Sequence, residues 1–190
     1  MLLQWKGLFA GLLLGWVSGL AALGTGAAIV IVFGLYDVSA TTPHVPWFGW
    51  LVHRTMIRSV KLRATEMAPR SFTQAQLTRG VNLYESHCAV CHGGPGISRA
   101  RWVDGLTPTP PYLLDAARQW TPSQLHFIIA NGVTMTAMPA WKLTLSDQEI
   151  WSLVAFVQGL RGMSQRSYLR MRATSASRQR AIERFDQARN

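Results

Sequence analysis

At 190 residues, of which roughly the first 35 are almost wholly apolar, the chain has room for a membrane segment and one small folded domain but not for two large ones. Its formal charge of +10 suggests a nucleic-acid partner until it is divided along the chain: residues 1–70 carry six basic and two acidic side chains, residues 71–160 five of each, and residues 161–190 eight and two. The excess therefore lies outside the central region, no nucleic-acid-binding motif accompanies it, and that class of partner is set aside.

No charged residue occurs from Leu8 to Leu35, and such a run, about 42 Å long as a helix, exceeds the ~30 Å hydrocarbon core of a bilayer. A cleaved signal peptide is the alternative, since Lys6 precedes the run and small residues such as Gly24 and Gly26 lie within it. The run continues through Ala27 to Phe33, however, beyond an h-region of about 7–15 residues, so residues 1–36 are expected to be a retained, single-pass transmembrane anchor. Gly7, Gly11, Gly15 and Gly19 recur every four residues and would line one face of that helix, where a second membrane helix could approach closely.

Residues 37–70 read as a linker followed by a basic juxtamembrane helix. Asp37 to Trp50, with two prolines, a glycine and two tryptophans, suits an irregular interfacial stretch. Leu51 to Ala68 is compatible with a helix that stops before Pro69, its cations Arg54, Arg58, Lys61 and Arg63 being suited to anionic lipid headgroups or to a partner. His44 and His53 read as exposed side chains.

The central domain is expected over residues 71–160. Leu77, Val81 and Tyr84 recur at helical spacing between Phe72 and His87. The helix runs into Cys88-Ala89-Val90-Cys91-His92, which holds both cysteines of the chain. A C-x-x-C-H run suits c-type haem attachment, in which two thiols form thioethers to the haem vinyl groups and the adjacent imidazole ligates iron. A zinc site would need further ligands at a recognisable spacing, and a thioredoxin-like pair would sit in a βαβ pattern, for which no strand-like alternation is found nearby.

The longer pattern Gly80-x-x-x-Tyr84-x-x-x-Cys88-x-x-Cys91-His92-Gly93 resembles the first helix and haem-binding motif of small class I cytochromes c. The resemblance covers about residues 72–160 and implies a small class I cytochrome c helical domain; with the apolar run before it, the expected fold is all-α, a single N-terminal transmembrane helix followed by that domain. It implies one covalently attached haem c, anchored by Cys88 and Cys91, with His92 as proximal ligand. A last helix over Ser146–Leu160, with a Ser146/Glu149 capping box and Ile150, Trp151, Val154 and Val157 on one face, would cross the first closely at Gly80. In Pro111-Tyr112-Leu113 the resemblance makes the Pro111 carbonyl the acceptor for the second ring N–H of His92, and Leu113 a side chain against the macrocycle. Met138, followed by Pro139 as in the family's Met-Pro pattern, would be the sixth ligand. Met135 lacks that neighbour and reads as loop packing.

Thr121 and Pro122 mark the start of another helix, in which His126 reads as a half-buried polar residue. Residues 161–190, rich in arginine, read as a basic, disordered and solvated tail, the alternative being a strap on lipid headgroups or on an acidic partner.

Because covalent haem attachment in the resembled family takes place on the periplasmic side, the expected location is a bacterial inner membrane, amino terminus cytoplasmic and haem domain periplasmic. Counting the cations after the span would point the other way, but they begin almost 20 residues beyond it, near the limit of that rule. The expected function is one-electron carriage between respiratory-chain partners, from a dehydrogenase or quinol-oxidising complex to a terminal oxidase or other acceptor. The partners would be an integral-membrane redox complex and membrane lipid, with no nucleic acid, no small-molecule substrate and no catalytic residue of its own. The alternative is a haem enzyme, or a gas or redox sensor, with an open distal site.

Overall fold

In the computed structural model, residues 2–42, 44–174 and 177 are described, residues 2–6 through their backbone alone. The chain divides into two units, Met1–Thr42 and Pro43–Asn190. The first is built on helix α1, Leu2–Val32, whose stretch Gly7–Val32 is long and apolar enough to cross a membrane. From Gly7 onward its side chains are exposed, and a Cβ added at Gly7, Gly11, Gly15 or Gly19 would meet nothing within 4 Å. Gly34, at φ 60°, turns the chain so that the Leu35 N–H donates to the Val30 carbonyl (3.0 Å), satisfying a carbonyl the helix end would otherwise leave unpaired. The Asp37 carboxylate then accepts from the Ser39 N–H (2.8 Å) and the Thr42 hydroxyl (2.5 Å).

The second unit opens with α2, Pro46–Arg63, which starts earlier and stops earlier than the sequence suggests. Pro46 occupies the first turn, where its missing N–H costs nothing and its fixed φ favours helix, so Trp47 to Trp50 join the helix. Among the residues of α2, Val60 is buried, and the helix lies against α6, Pro122–Asn131.

Helices α3, Gln74–His87, and α7, Asp147–Gly159, form the centre of the domain. Each starts with a reciprocal capping box, Thr73 with Gln76 and Ser146 with Glu149, which satisfies two backbone donors at once. The helices cross at Gly80: a Cβ there would lie 2.1 Å from the Ser152 carbonyl oxygen and 2.8 Å from the Phe156 Cβ. Only a hydrogen fits. Around this crossing Val81, Tyr84, Ile150, Leu153, Val154 and Phe156 are buried, each large side chain contributing about 1.5–3 kcal/mol by removal from water. Helix α6, also opened by a capping box (Thr121 with Gln124), adds Leu125 and Ile129 to this core. Two one-turn helices, α4 (Ala89–His92) and α5 (Ala116–Gln119), complete the set that carries the site. Among the described residues the extended pairing is one isolated bridge, Gly94 with Ile97.

Two expectations are corrected. His126 is buried rather than half-buried: its Nε2–H donates to Asp147 (2.7 Å), its ring stacks on Trp151 at 4.3 Å, and Nδ1 has no hydrogen-bond partner. Residues 165–174, expected within a solvated tail, are helical, because Tyr168 is an apolar anchor. It is 1% exposed and stacks near Phe156. Its hydroxyl donates to Glu85, which Arg172 also pairs at 2.7 Å. Apart from Ser177, the arginine-rich end beyond residue 174 lies outside the described residues.

Candidate haem site

Cys88 stands where α3 ends and α4 begins. Its N–H donates to the Tyr84 carbonyl (2.8 Å), while its own carbonyl accepts from Cys91 (3.1 Å) and His92 (2.9 Å). One turn of helix thus carries Cys88, Cys91 and His92, and the three- and four-residue spacing puts all three on one face. Gly93, at φ 62°, ends the turn; a Cβ there would meet the Ile97 carbonyl at 2.7 Å and the Tyr112 ring at 2.8 Å. The buried Tyr84 hydroxyl donates to the Gly93 carbonyl (2.8 Å), tying the chain just after His92 back to α3. From further along the chain, Tyr168 lies so close to Gly94 that a Cβ would sit 2.5 Å from its ring, and Gln165 donates to the Gly96 carbonyl (3.1 Å).

Both thiols are half-buried. Burial, and then the proximity of Cys91, pushes the Cys88 thiol up to about 12, whereas a redox nucleophile needs a depressed value. Among the described residues no three His, Cys, Asp or Glu side chains are grouped to hold a metal ion.

His92 Nδ1 lies 2.7 Å from the Pro111 carbonyl oxygen. A carbonyl can only accept, so the proton sits on Nδ1 and Nε2 keeps its lone pair. Burial holds the His92 imidazole below its ordinary value, against the opposing effect of the Pro111 bond and with the Arg99 charge acting in the same direction as burial. The net direction favours the neutral ring.

Arg99 organises the proximal segment. Its guanidinium donates to the Pro110 carbonyl and to Asp104 (2.8 Å), and lies 4.8 Å from the centre of the Tyr112 ring. It therefore grips the residues on both sides of Pro111. Leu113, two residues on, packs half-buried against the core.

The Met138 loop is closed by its own backbone. Val133 N–H donates to the Met138 carbonyl (3.2 Å), and the Thr136 hydroxyl donates to Val133 (2.7 Å) and accepts from Met138 N–H (3.1 Å). Gly132, at φ 66°, lets this happen, since a Cβ would stand 2.6 Å from the Met138 carbonyl oxygen. Met138 packs half-buried against the core, whereas Met135, at φ 61°, is 66% exposed.

Residues 75–157 match the family model described as cytochrome c oxidase, cbb3-type, subunit III. This region is a class I c-type cytochrome domain. The quinohemoprotein alcohol dehydrogenase of Comamonas testosteroni is 31% identical over 88 residues, 46% of this chain and 11% of that relative. The chain thus spans about a tenth of the length of the curated relative it matches. A cytochrome domain binds haem and points to electron transfer.

The residues present fit such a group chemically: an imidazole nitrogen with a free lone pair, two thiols on the same helical turn, and a thioether in a tightly bonded loop. The cytochrome domain also uses residues that sequence reasoning missed. Arg99 binds partners at 104, 110 and 112, and no motif marks it. Glu85, Gln165, Tyr168 and Arg172 link α3 and the glycine stretch after His92 to a segment beyond the family match. The apolar Tyr168 and Leu169 among arginines were the available signal.

Proposed function

We propose that this chain is a membrane-tethered monohaem cytochrome c that carries single electrons between respiratory-chain partners. α1 serves as a retained single-pass anchor in a bacterial inner membrane, with its amino terminus cytoplasmic and the cytochrome domain periplasmic. One haem c is held through thioethers from Cys88 and Cys91 and ligated by His92 and Met138, with Pro111 and Leu113 supporting it. When bound, the group supplies an iron that cycles between ferric and ferrous.

The observation that carries this reading is the 2.7 Å bond from His92 Nδ1 to the Pro111 carbonyl. It fixes the ring tautomer, leaves Nε2 as the donor atom and raises the basicity of that nitrogen. Arg99 keeps the acceptor in place by binding both neighbours of Pro111. The thioether of Met138, as a soft ligand, favours the ferrous state and a higher potential than a second imidazole would. The domain is an electron carrier, not a catalyst with its own substrate. The relative's name supports a partner of the dehydrogenase class, and a terminal oxidase or other acceptor would take the electron.

Intact-mass measurement of the chain matured with a cytochrome c assembly system should show one covalent haem; unmodified cysteines would sink the proposal. Met138→Ala should keep that haem, lower the reduction potential and let carbon monoxide bind the ferrous form readily. Met135→Ala should do neither. Spectra and potential that move only in the Met135 variant would show that the wrong sulfur was chosen. If neither variant moves them, the sixth ligand lies elsewhere.

A further inference from the structure

The outer face of α2 has a composition that folding of the domain does not account for. Counted from Trp47, the residues Trp50, Leu51, Arg54, Arg58, Lys61 and Leu62 lie at offsets that are threes, fours or their sums, so all seven share one side of the helix. All seven are exposed, Trp47 by 67% and Trp50 by 62%. The opposite side holds Val52, Met56 and Val60, which are half-buried or buried, and α2 lies against α6. The inner side therefore already has its partner. What remains outside is two indoles, two leucines and three cations, in a helix whose sequence contains no Asp or Glu.

A helix face turned to water is ordinarily polar. Tryptophans combined with snorkelling arginines and lysines are instead the composition of a helix lying in a membrane interface, indoles at headgroup level and cations on the phosphates. The Arg54 guanidinium lies 6.0 Å from the Trp50 ring centre, so the apolar and cationic parts form one surface. Residues 33–45 separate α1 from α2, and 13 residues reach at most about 45 Å even when extended. Any bilayer that α1 crosses is within reach of this face.

We propose that the outer face of α2 seats on an anionic phospholipid surface and thereby sets the orientation of the cytochrome domain at the membrane; this rests on the reading of α1 as a retained anchor. Charge complementarity selects the occupant, because three cations with no carboxylate among them match phosphate headgroups, and the paired indoles match the interface. The seat restricts which side of the domain meets a partner embedded in the same bilayer.

The test uses the full-length holoprotein in nanodiscs of phosphatidylcholine with and without phosphatidylglycerol. A nitroxide is placed by Leu51→Cys, with Arg118→Cys as an exposed control, and its collisions with oxygen and with a nickel chelate are compared in the reduced protein. In discs containing phosphatidylglycerol, the label at position 51 should lose nickel collisions several-fold relative to position 118 and gain oxygen collisions. High salt, phosphatidylcholine alone, or the combined Arg54→Gln, Arg58→Gln and Lys61→Gln variant should return it to water. If position 51 is equally open to the chelate in both discs, or the triple variant changes nothing, the seat is overturned while the anchor stands. If position 51 is shielded only when a partner protein is added, the face is a protein interface and the proposal falls. A chain that fails to co-elute with the discs removes the anchor and the seat together.

Discussion

Arg99 shows how one side chain can hold a site together without touching its reactive atom. It is 17% exposed, whereas its partner Asp104 is 65% exposed, so the two halves of this pair should weigh very differently. Arg99→Met removes charged hydrogen bonds to a carbonyl and a carboxylate from a partly buried position, and should destabilise the domain by about 2 kcal/mol. Asp104→Asn disturbs only a solvent-screened ion pair and should cost less than about 1 kcal/mol. Denaturant titration followed by circular dichroism checks both, and equal losses would show that the carbonyl of Pro110 is held by something else. Cys88, Cys91 and His92 were legible in the sequence because their C-x-x-C-H spacing falls within one helical turn. Arg99 was not, because its partners become neighbours only through the path of the loop from residue 95 to residue 112.

At the scale of elements, the crossing of α3 and α7 has no slack. A methyl group at residue 80 would stand 2.1 Å from a backbone oxygen, and neither helix can retreat without opening the core. Gly80→Ala should therefore destabilise by about 3 kcal/mol or more, well beyond the gain in helix propensity of up to about 1 kcal/mol that the change would otherwise bring. A thermal melt that rises in this variant would refute the close approach. The start of α7 has a pH dependence of its own. Hydrogen bonds from Ser146, side chain first and then backbone, together with Arg79, hold the Glu149 carboxyl at about 2, below its ordinary 4.5. A lowered carboxyl stabilises the fold above its unfolded value and loses that contribution as the pH falls through the folded one. Stability should thus decline between about pH 4.5 and pH 2. Glu149→Gln, which can still cap but cannot ionise, should show a shallower decline in melts recorded across that range. An unchanged slope would assign the acid sensitivity to other carboxylates.

For the molecule as a whole, the Cys88–Gly96 stretch is braced from both sides in sequence. Tyr84 in α3 binds the Gly93 carbonyl, and the segment with Gln165 and Tyr168 packs on Gly94 and Gly96. All of these contacts lie within the unit that follows Thr42. Deleting residues 1–42 should therefore leave the haem spectrum and melting temperature unchanged, while the protein becomes extractable from membranes by high salt, since only the salt-sensitive α2 face then remains to hold it, measured on the fractionated and purified protein. A fall in melting temperature of several degrees would mean that α1 contributes to the fold, not only to location.

Taken alone, the sequence determined what depends on neighbours a few residues apart: the uncharged span of α1, the Thr121 and Ser146 helix starts, and the Cys88, Cys91 and His92 turn. These follow from backbone donors, helical periodicity and covalent spacing, all of which act locally. Resemblance extended that reading to Pro111, 19 residues from His92. Tertiary structure alone decided the rest. Tyr168 meets Glu85 across 83 residues, Arg99 closes on Pro110, and the solvated-tail reading yields to helix at residues 165–174. The physical reason is that arginine-rich composition favours water locally, whereas one aromatic ring placed in a core outweighs it once the packed helices have created the space for that ring.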